Sequence, residues 1–205
     1  YTPIEKVKGI VNFTETLVNL QGLTGVVGTS PLKIDGQILT DTATKVPDVD
    51  IAITSKSVNL KDTIKFLTKS YLYPKEYPDL SLLYDIASKH DLYFKYKAKS
   101  IDFLTDKAYA VMNFIPDKAD NPIKAKSGKV VMENAKVKVN DVNIGFYDSD
   151  LNVSGEVRNV DTVNPIYNLK IKSDRLNLEN LNDTSKITIM PKKLRNIFTQ
   201  FKNYK

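Results

Sequence analysis

Apolar and polar side chains alternate along this chain with a period of two, the repeat of a β-strand with one dry and one wet face. Val137 and Val139 alternate with Lys136, Lys138 and Asn140, and Ile144 and Phe146 with Asn143, Gly145 and Tyr147. Leu151, Val153 and Val157 alternate with Asn152, Ser154 and Glu156, and Tyr167, Leu169 and Ile171 with Asn168, Lys170 and Lys172. Nearer the start, Leu32, Ile34 and Ile38 face Lys33, Asp35 and Gln37, and Val49, Ile51 and Ile53 face Asp48, Asp50 and Thr54. Parallel strands covered on both faces read as unbroken apolar runs, so this alternation predicts antiparallel meanders.

The pattern occurs twice. Gly9 and Gly36 recur as Gly128 and Gly155 at an offset of 119, and at the same offset Val11 meets Val130, Val18 meets Val137, Ser30 meets Ser149 and Leu32 meets Leu151. After a one-residue deletion Pro47 falls on Pro165, Ile53 on Ile171, Ser55 on Ser173 and Asn59-Leu60 on Asn177-Leu178. Two copies of one unit therefore span roughly 4–62 and 123–181. Gly36 and Gly155 stand at the apolar phase of their strands, where a missing side chain marks a bend, a bulge or a close approach.

Between the copies the period changes. Asp62 is placed to cap a helix running to about Leu72, and Ser81 to Lys89 predicts a second short helix, which puts His90 at a helix end or in a loop. Strands resume with Leu92, Phe94, Tyr96 and Ala98, then Ala108, Ala110, Met112 and Phe114, before a loop at Asp117 to Asn121. The expected organisation is a first β repeat (1–62), a helical insert (63–91), connecting strands (92–122), a second β repeat (123–189) and a basic amphipathic C-terminal helix (190–205), all within one continuous domain cut from a longer chain. The fold class is mainly β with some α: a long bent antiparallel sheet, a trough of about twelve strands, with short helices between and after the repeats.

Composition narrows the chemistry. The 205 residues include no cysteine and one histidine, His90. Disulfides, zinc ribbons, Fe–S clusters, thiol nucleophiles and His-based metal sites drop out of consideration. The carboxylates are scattered on wet phases instead of converging, so no catalytic residue, metal or cofactor is expected and the chain does not read as an enzyme. The net charge is +6, but residues 191–205 alone carry +5, and only Arg158, Arg175 and Arg195 are arginine. A nucleic-acid footprint on the folded body is therefore disfavoured.

Ser30-Pro31-Leu32-Lys33-Ile34-Asp35-Gly36-Gln37-Ile38, then Pro47-Asp48-Val49-Asp50-Ile51-Ala52-Ile53, then Ser55-Lys56-Ser57-Val58-Asn59-Leu60 resembles the repeat of the AsmA-like and TamB-like proteins of Gram-negative bacteria. In that repeat a small-residue turn leads into a strand ending at glycine, an alternating strand follows, and a Ser-x-x-x-Asn-Leu close enters a helix. Ser149, Gly155, Pro165, Ser173, Asn177 and Leu178 keep the same order in the second copy. The resemblance covers a little over half of the chain and rests on glycines and alternation. It implies a trough with a greasy concave face, anchored to the inner membrane through a segment outside this sequence, reaching into the periplasm and carrying phospholipid toward the outer membrane. The end strands of such a sheet expose unpaired backbone groups that invite another strand, so the remainder of the parent chain is expected to add further repeats.

The residues themselves are compatible with such a ligand. A bare apolar sheet face must be covered by a second layer, by helices or by a ligand, and two short helices are too few. At ~0.8 kcal/mol per buried methylene, a sixteen-carbon tail gains up to ~12 kcal/mol before ordering costs. The expected lining of the acyl-lipid groove is Leu32, Ile34, Ile38, Val49, Ile51, Ile53, Val137, Val139, Ile144, Phe146, Leu151, Val153, Val157, Tyr167, Leu169 and Ile171. The alternative is a closed β-sandwich scaffold in which these residues are simply core. In the tail, Leu194, Ile197, Phe198 and Phe201 share one helical face. That helix either caps the trough or meets an anionic membrane surface through Lys192, Lys193, Arg195, Phe198 and Phe201.

Overall fold

The computed structural model describes residues 3–68, 88–98, 108–115, 123–160, 162 and 164–177. Ten strands form one open antiparallel sheet in sequence order: β1 (Ile4–Phe13), β2 (Leu17–Val27), β3 (Ser30–Thr40), β4 (Pro47–Asn59), β5 (Lys89–Ala98), β6 (Ala108–Ile115), β7 (Ile123–Glu133), β8 (Lys136–Phe146), β9 (Ser149–Arg158) and β10 (Ile166–Arg175). Helix α1 (Leu60–Thr68) follows β4. The sheet is neither a barrel nor a sandwich. At ~4.8 Å between neighbours, the ten strands of the described residues give ~45 Å along the stacking direction.

The two copies are two four-stranded meanders, β1–β4 and β7–β10, joined by β5 and β6. Their equivalence reaches the backbone. Gly9, Gly22, Gly28 and Gly36 have φ of 140°, 56°, 62° and 147°, and 119 positions later Gly128, Asp141, Tyr147 and Gly155 have φ of 118°, 47°, 50° and 135°. The first copy supports the bulge at Gly22 by donating its N–H to the Asp35 carboxylate at 2.7 Å. In the second copy the carboxylate sits on the bulge itself, as Asp141, and accepts from Ser154 Oγ at 2.9 Å. The acid and its partner have exchanged places across the same pair of strands.

Gly36 and Gly155 are points of close strand approach. A Cβ on Gly36 would lie 2.2 Å from the Asp50 carbonyl oxygen and 2.8 Å from Ile51 Cα, and one on Gly155 would lie 2.1 Å from the Asn168 oxygen and 3.0 Å from Leu169 Cα. Both have positive φ, so only glycine fits the backbone and leaves room for the neighbouring strand.

Helix α1 begins two residues before the expected cap. Asn59 Oδ1 accepts the Lys61 N–H at 2.9 Å and so caps the helix, which frees the Asp62 carboxylate for the β2–β3 turn. The helix expected over Ser81 to Lys89 falls mostly outside the described residues, but Lys89 already belongs to β5. His90 is neither a loop nor a helix-end residue. It lies within β5 opposite Val58 and Phe114 and is fully buried.

Candidate functional site

Residues directly opposite one another in an antiparallel pair share a face, so the register assigns the faces. One row runs Ile34, Ile53, Phe94, Ala110, Met132, Val137, Val157, Tyr167 across eight consecutive strands. Beside it runs Leu92, Met112, Val130, Val139, Gly155, Leu169. On the other flank Ile51 and Tyr96 sit opposite each other, and Val18, Ile38 and Val49 form the next row. All sixteen expected lining positions fall on this one face. Leu32 lies opposite Gly25, Val153 opposite Val142 and Ile171, Ile144 opposite Leu151, and Phe146 opposite Ser149.

The opposite face is wet. Asp50 pairs with both Lys95 and Lys97 at 3.5 Å, Glu156 with Lys136 at 4.0 Å and with Arg158, and Lys33 with Asp35 at 2.7 Å. Lys33 beside it and the Gly22 N–H hold the Asp35 carboxyl below the usual carboxylate range, and Lys126 does the same for Asp150. Among the described residues, no group of three or more His, Cys, Asp or Glu is placed to hold a metal.

Alternation alone missed part of the apolar face. Val142 is buried there in phase with Ile144 and Phe146, because the left-handed Asp141 adds a residue to β8 and shifts the phase set by Val137 and Val139. Phe94, Tyr96, Met112 and Met132 join the same rows from β5, β6 and β7. Their strands were legible, but the expected groove stopped at the two copies. Lining residues on β10 are the most open, with Tyr167 at 54% and Leu169 at 41% exposure, because an edge strand has a neighbour on one side only. Lys192, Lys193, Arg195, Phe198 and Phe201 lie outside the described residues.

No family model, no curated protein and no solved structure matches the chain. The functional reading accordingly rests on the geometry and on the resemblance of the repeat.

His90 interrupts the apolar face at one rim. Its Nε2 lies 3.3 Å from Thr63 Oγ1 on α1, its ring meets Phe114 edge-on at 5.9 Å, and Nδ1 is buried with no partner among the described residues. Burial pushes its pKa down to about 4 against a weaker opposing pull from Asp91, so the ring is neutral at pH 7. Elsewhere the face offers an acyl chain methyl and methylene contacts in successive rows, and no helix among the described residues is long and apolar enough to cross a membrane.

Proposed function

We propose that this chain is a non-catalytic segment of a cell-envelope protein that holds or conducts phospholipid acyl chains along the inner face of its bent sheet, in the periplasm between inner and outer membranes. The observation that carries the reading is the uninterrupted apolar row from Ile34 to Tyr167, eight strands long, on one face of the open sheet. Among the described residues, the element outside the sheet is α1, and its contacts are with β4 at one end of the row. Many of the row's members remain half-buried instead of reaching core burial. An acyl chain supplies the missing cover. Because successive rows offer similar Val, Ile, Leu and Met surfaces, neighbouring positions bind a tail almost equally, which favours sliding over storage.

The partners in this reading are phospholipid and further strands of the same repeat. β1 and β10 are exposed along their whole lengths, and Val7, Ile10, Val11 and Phe13 on β1 and Leu169 and Ile171 on β10 lie at the two sides of the sheet. An anchor in the inner membrane, supplied by a segment outside this sequence, belongs to the same proposal and is supported by the AsmA-like and TamB-like character of the repeat. Native mass spectrometry of the chain purified from an envelope-bearing host without added lipid tests the reading. The expected result is one or more adducts of phospholipid mass that survive mild activation. A bare chain that also takes up none of an offered phosphatidylethanolamine would overturn it.

A further inference from the structure

We propose that α1 is a lip over one rim of the inner face, latched to the β2–β3 turn by Asp62 and resting on neutral His90, and that protonation of His90 releases it. The proposal rests on the acyl-chain reading only for its consequence, a side port into the groove. Its structural part stands on the contacts of α1 alone.

The latch is compact. Asp62 Oδ2 accepts the Thr29 N–H at 2.8 Å, the Thr29 hydroxyl at 2.9 Å and the Ser30 hydroxyl at 2.8 Å, while Ser30 Oγ accepts the Asn59 N–H at 2.9 Å. The turn is shaped for it. A Cβ on Gly28 would lie 2.4 Å from Asp62 Oδ1. At the other end of the same rim, the Leu60 N–H donates to the Ser88 carbonyl at 3.0 Å and Thr63 reaches His90. Ser57, just before the helix, has a φ of 63°, stands at a register shift between β4 and β5, and donates its N–H to Asp91 Oδ1 at 3.3 Å. That irregular point is where the chain can turn without breaking a regular ladder.

The prop carries a condition. His90 lies inside the rim with Val58 and Phe114 opposite it, neither of which can accept a hydrogen bond through its side chain. Of the charged groups on the elements around it, Lys89 and Asp91 alternate to the outer face of β5, Asp91 alone drawing its value upward, Lys56 is exposed on β4, Asp62 is committed to the turn, and α1 carries Lys61 and Lys65 but no further carboxylate. An imidazolium here would bury an N–H with no acceptor among the described residues at Nδ1. Moving α1 away lets water reach the ring.

Burial holds the ring at about 4 in the closed arrangement, and once α1 moves away and water reaches it the value rises toward the ordinary 6.5 of a solvated histidine. The closed form is therefore favoured fully above pH 6.5 and loses its advantage as pH falls toward 4. Between pH 7 and pH 4.5 the open fraction rises by roughly fiftyfold. Such an arrangement would couple acyl-chain entry to local acidity.

Hydrogen exchange of the lipid-free full chain, corrected for the intrinsic pH dependence of amide exchange, tests this directly. The amides of residues 60–68 should lose about fiftyfold protection between pH 7 and pH 4.5 while those of β8 and β9 stay protected, which also reports that the sheet remains folded. His90→Phe should abolish the pH dependence, and Asp62→Asn should raise α1 exchange at both pH values while keeping it. Unchanged α1 protection in the wild type, or the same loss in His90→Phe, overturns the proposal. Since no lipid is present, neither outcome depends on what the groove binds.

Discussion

The buried hydroxyl of Ser149 accepts the backbone N–H of Asn177 at 2.9 Å, and 119 positions earlier Ser30 accepts that of Asn59 at the same distance. Each serine opens the third strand of its repeat, Asn59 closes the fourth and Asn177 follows it by two residues, so one short hydrogen bond ties a hairpin turn to the segment leaving the unit. Both serines are buried, at 3% and 1% exposure, which leaves the amide no water to turn to if the hydroxyl is lost. Ser149→Ala should cost about 1–3 kcal/mol in denaturant unfolding. Ser30→Ala should cost more, because Ser30 also donates to Asp62.

The close-approach glycines predict an ordered series. Gly36→Ala and Gly155→Ala combine a left-handed backbone with a Cβ closer than 2.5 Å to a neighbouring carbonyl oxygen, so each should cost more than about 3 kcal/mol or prevent folding. Gly22→Ala has the same sign of φ but only Lys33 Cε at 3.9 Å in its way, and should cost about 1 kcal/mol. Thermal unfolding of the three variants checks the order. Equal effects would mean that backbone conformation, and not the close approach, sets the requirement.

The wet face should announce itself in titration. Asp35 and Asp150 have carboxyls held below 3.8, the first chiefly by Lys33 and then by the Gly22 N–H, the second chiefly by Lys126. A depressed folded value means that their stabilising effect is present above pH 3.8 and fades as pH falls through the lower folded value. Carboxyl carbon NMR titration should place both midpoints below 3.8, and Lys33→Met should move Asp35 upward without moving Asp150.

Charges on the two faces should behave oppositely. Lys in place of Ile34 or Val153 sets an ammonium among half-buried aliphatic side chains and should abolish lipid retention at a folding cost of roughly 2–4 kcal/mol. Leu169→Lys, at the open edge, should cost less stability yet still reduce retention. Asn168→Lys, its wet-face neighbour, should change neither by a measurable amount, staying within about 0.5 kcal/mol. Circular dichroism and co-purified lipid, measured on the same samples, separate misfolding from loss of binding.

How far the sequence led follows from which signals are local. The sixteen lining positions could be read because period-two alternation is a direct record of which face each residue occupies, and Gly36 and Gly155 because a glycine at the apolar phase of a strand marks a bend or a close approach. Val142 was left out of the expected lining although the change of phase from Val137 and Val139 to Ile144 and Phe146 marks an inserted residue, which the structure places at Asp141. Its equivalent, Gly22, shows the bulge in the first copy, so the repeat itself held the missing signal. His90 was misplaced because Ser88-Lys89-His90-Asp91 reads as a polar helix end. Its contacts with Thr63 on α1 and Phe114 on β6 come from elements far from it in the chain. The start of α1 was shifted for a related reason, since Asn59 and Asp62 are both good caps and only the distant Thr29 and Ser30 decide which one is free.

The account turns on where an acyl chain lies. A phospholipid carrying a photoreactive group along its tail, loaded into the chain and mapped by peptide mass spectrometry, should cross-link to the inner rows at Ile34, Ile53, Met132, Val137 and Val157 and leave the outer-face Thr54, Val131 and Lys138 unlabelled. Val131 is the sharpest control, because it is apolar yet lies in register with Lys138. Labelling spread over both faces, or confined to the outer one, would contradict the claim that the apolar face of the bent sheet is the lipid path.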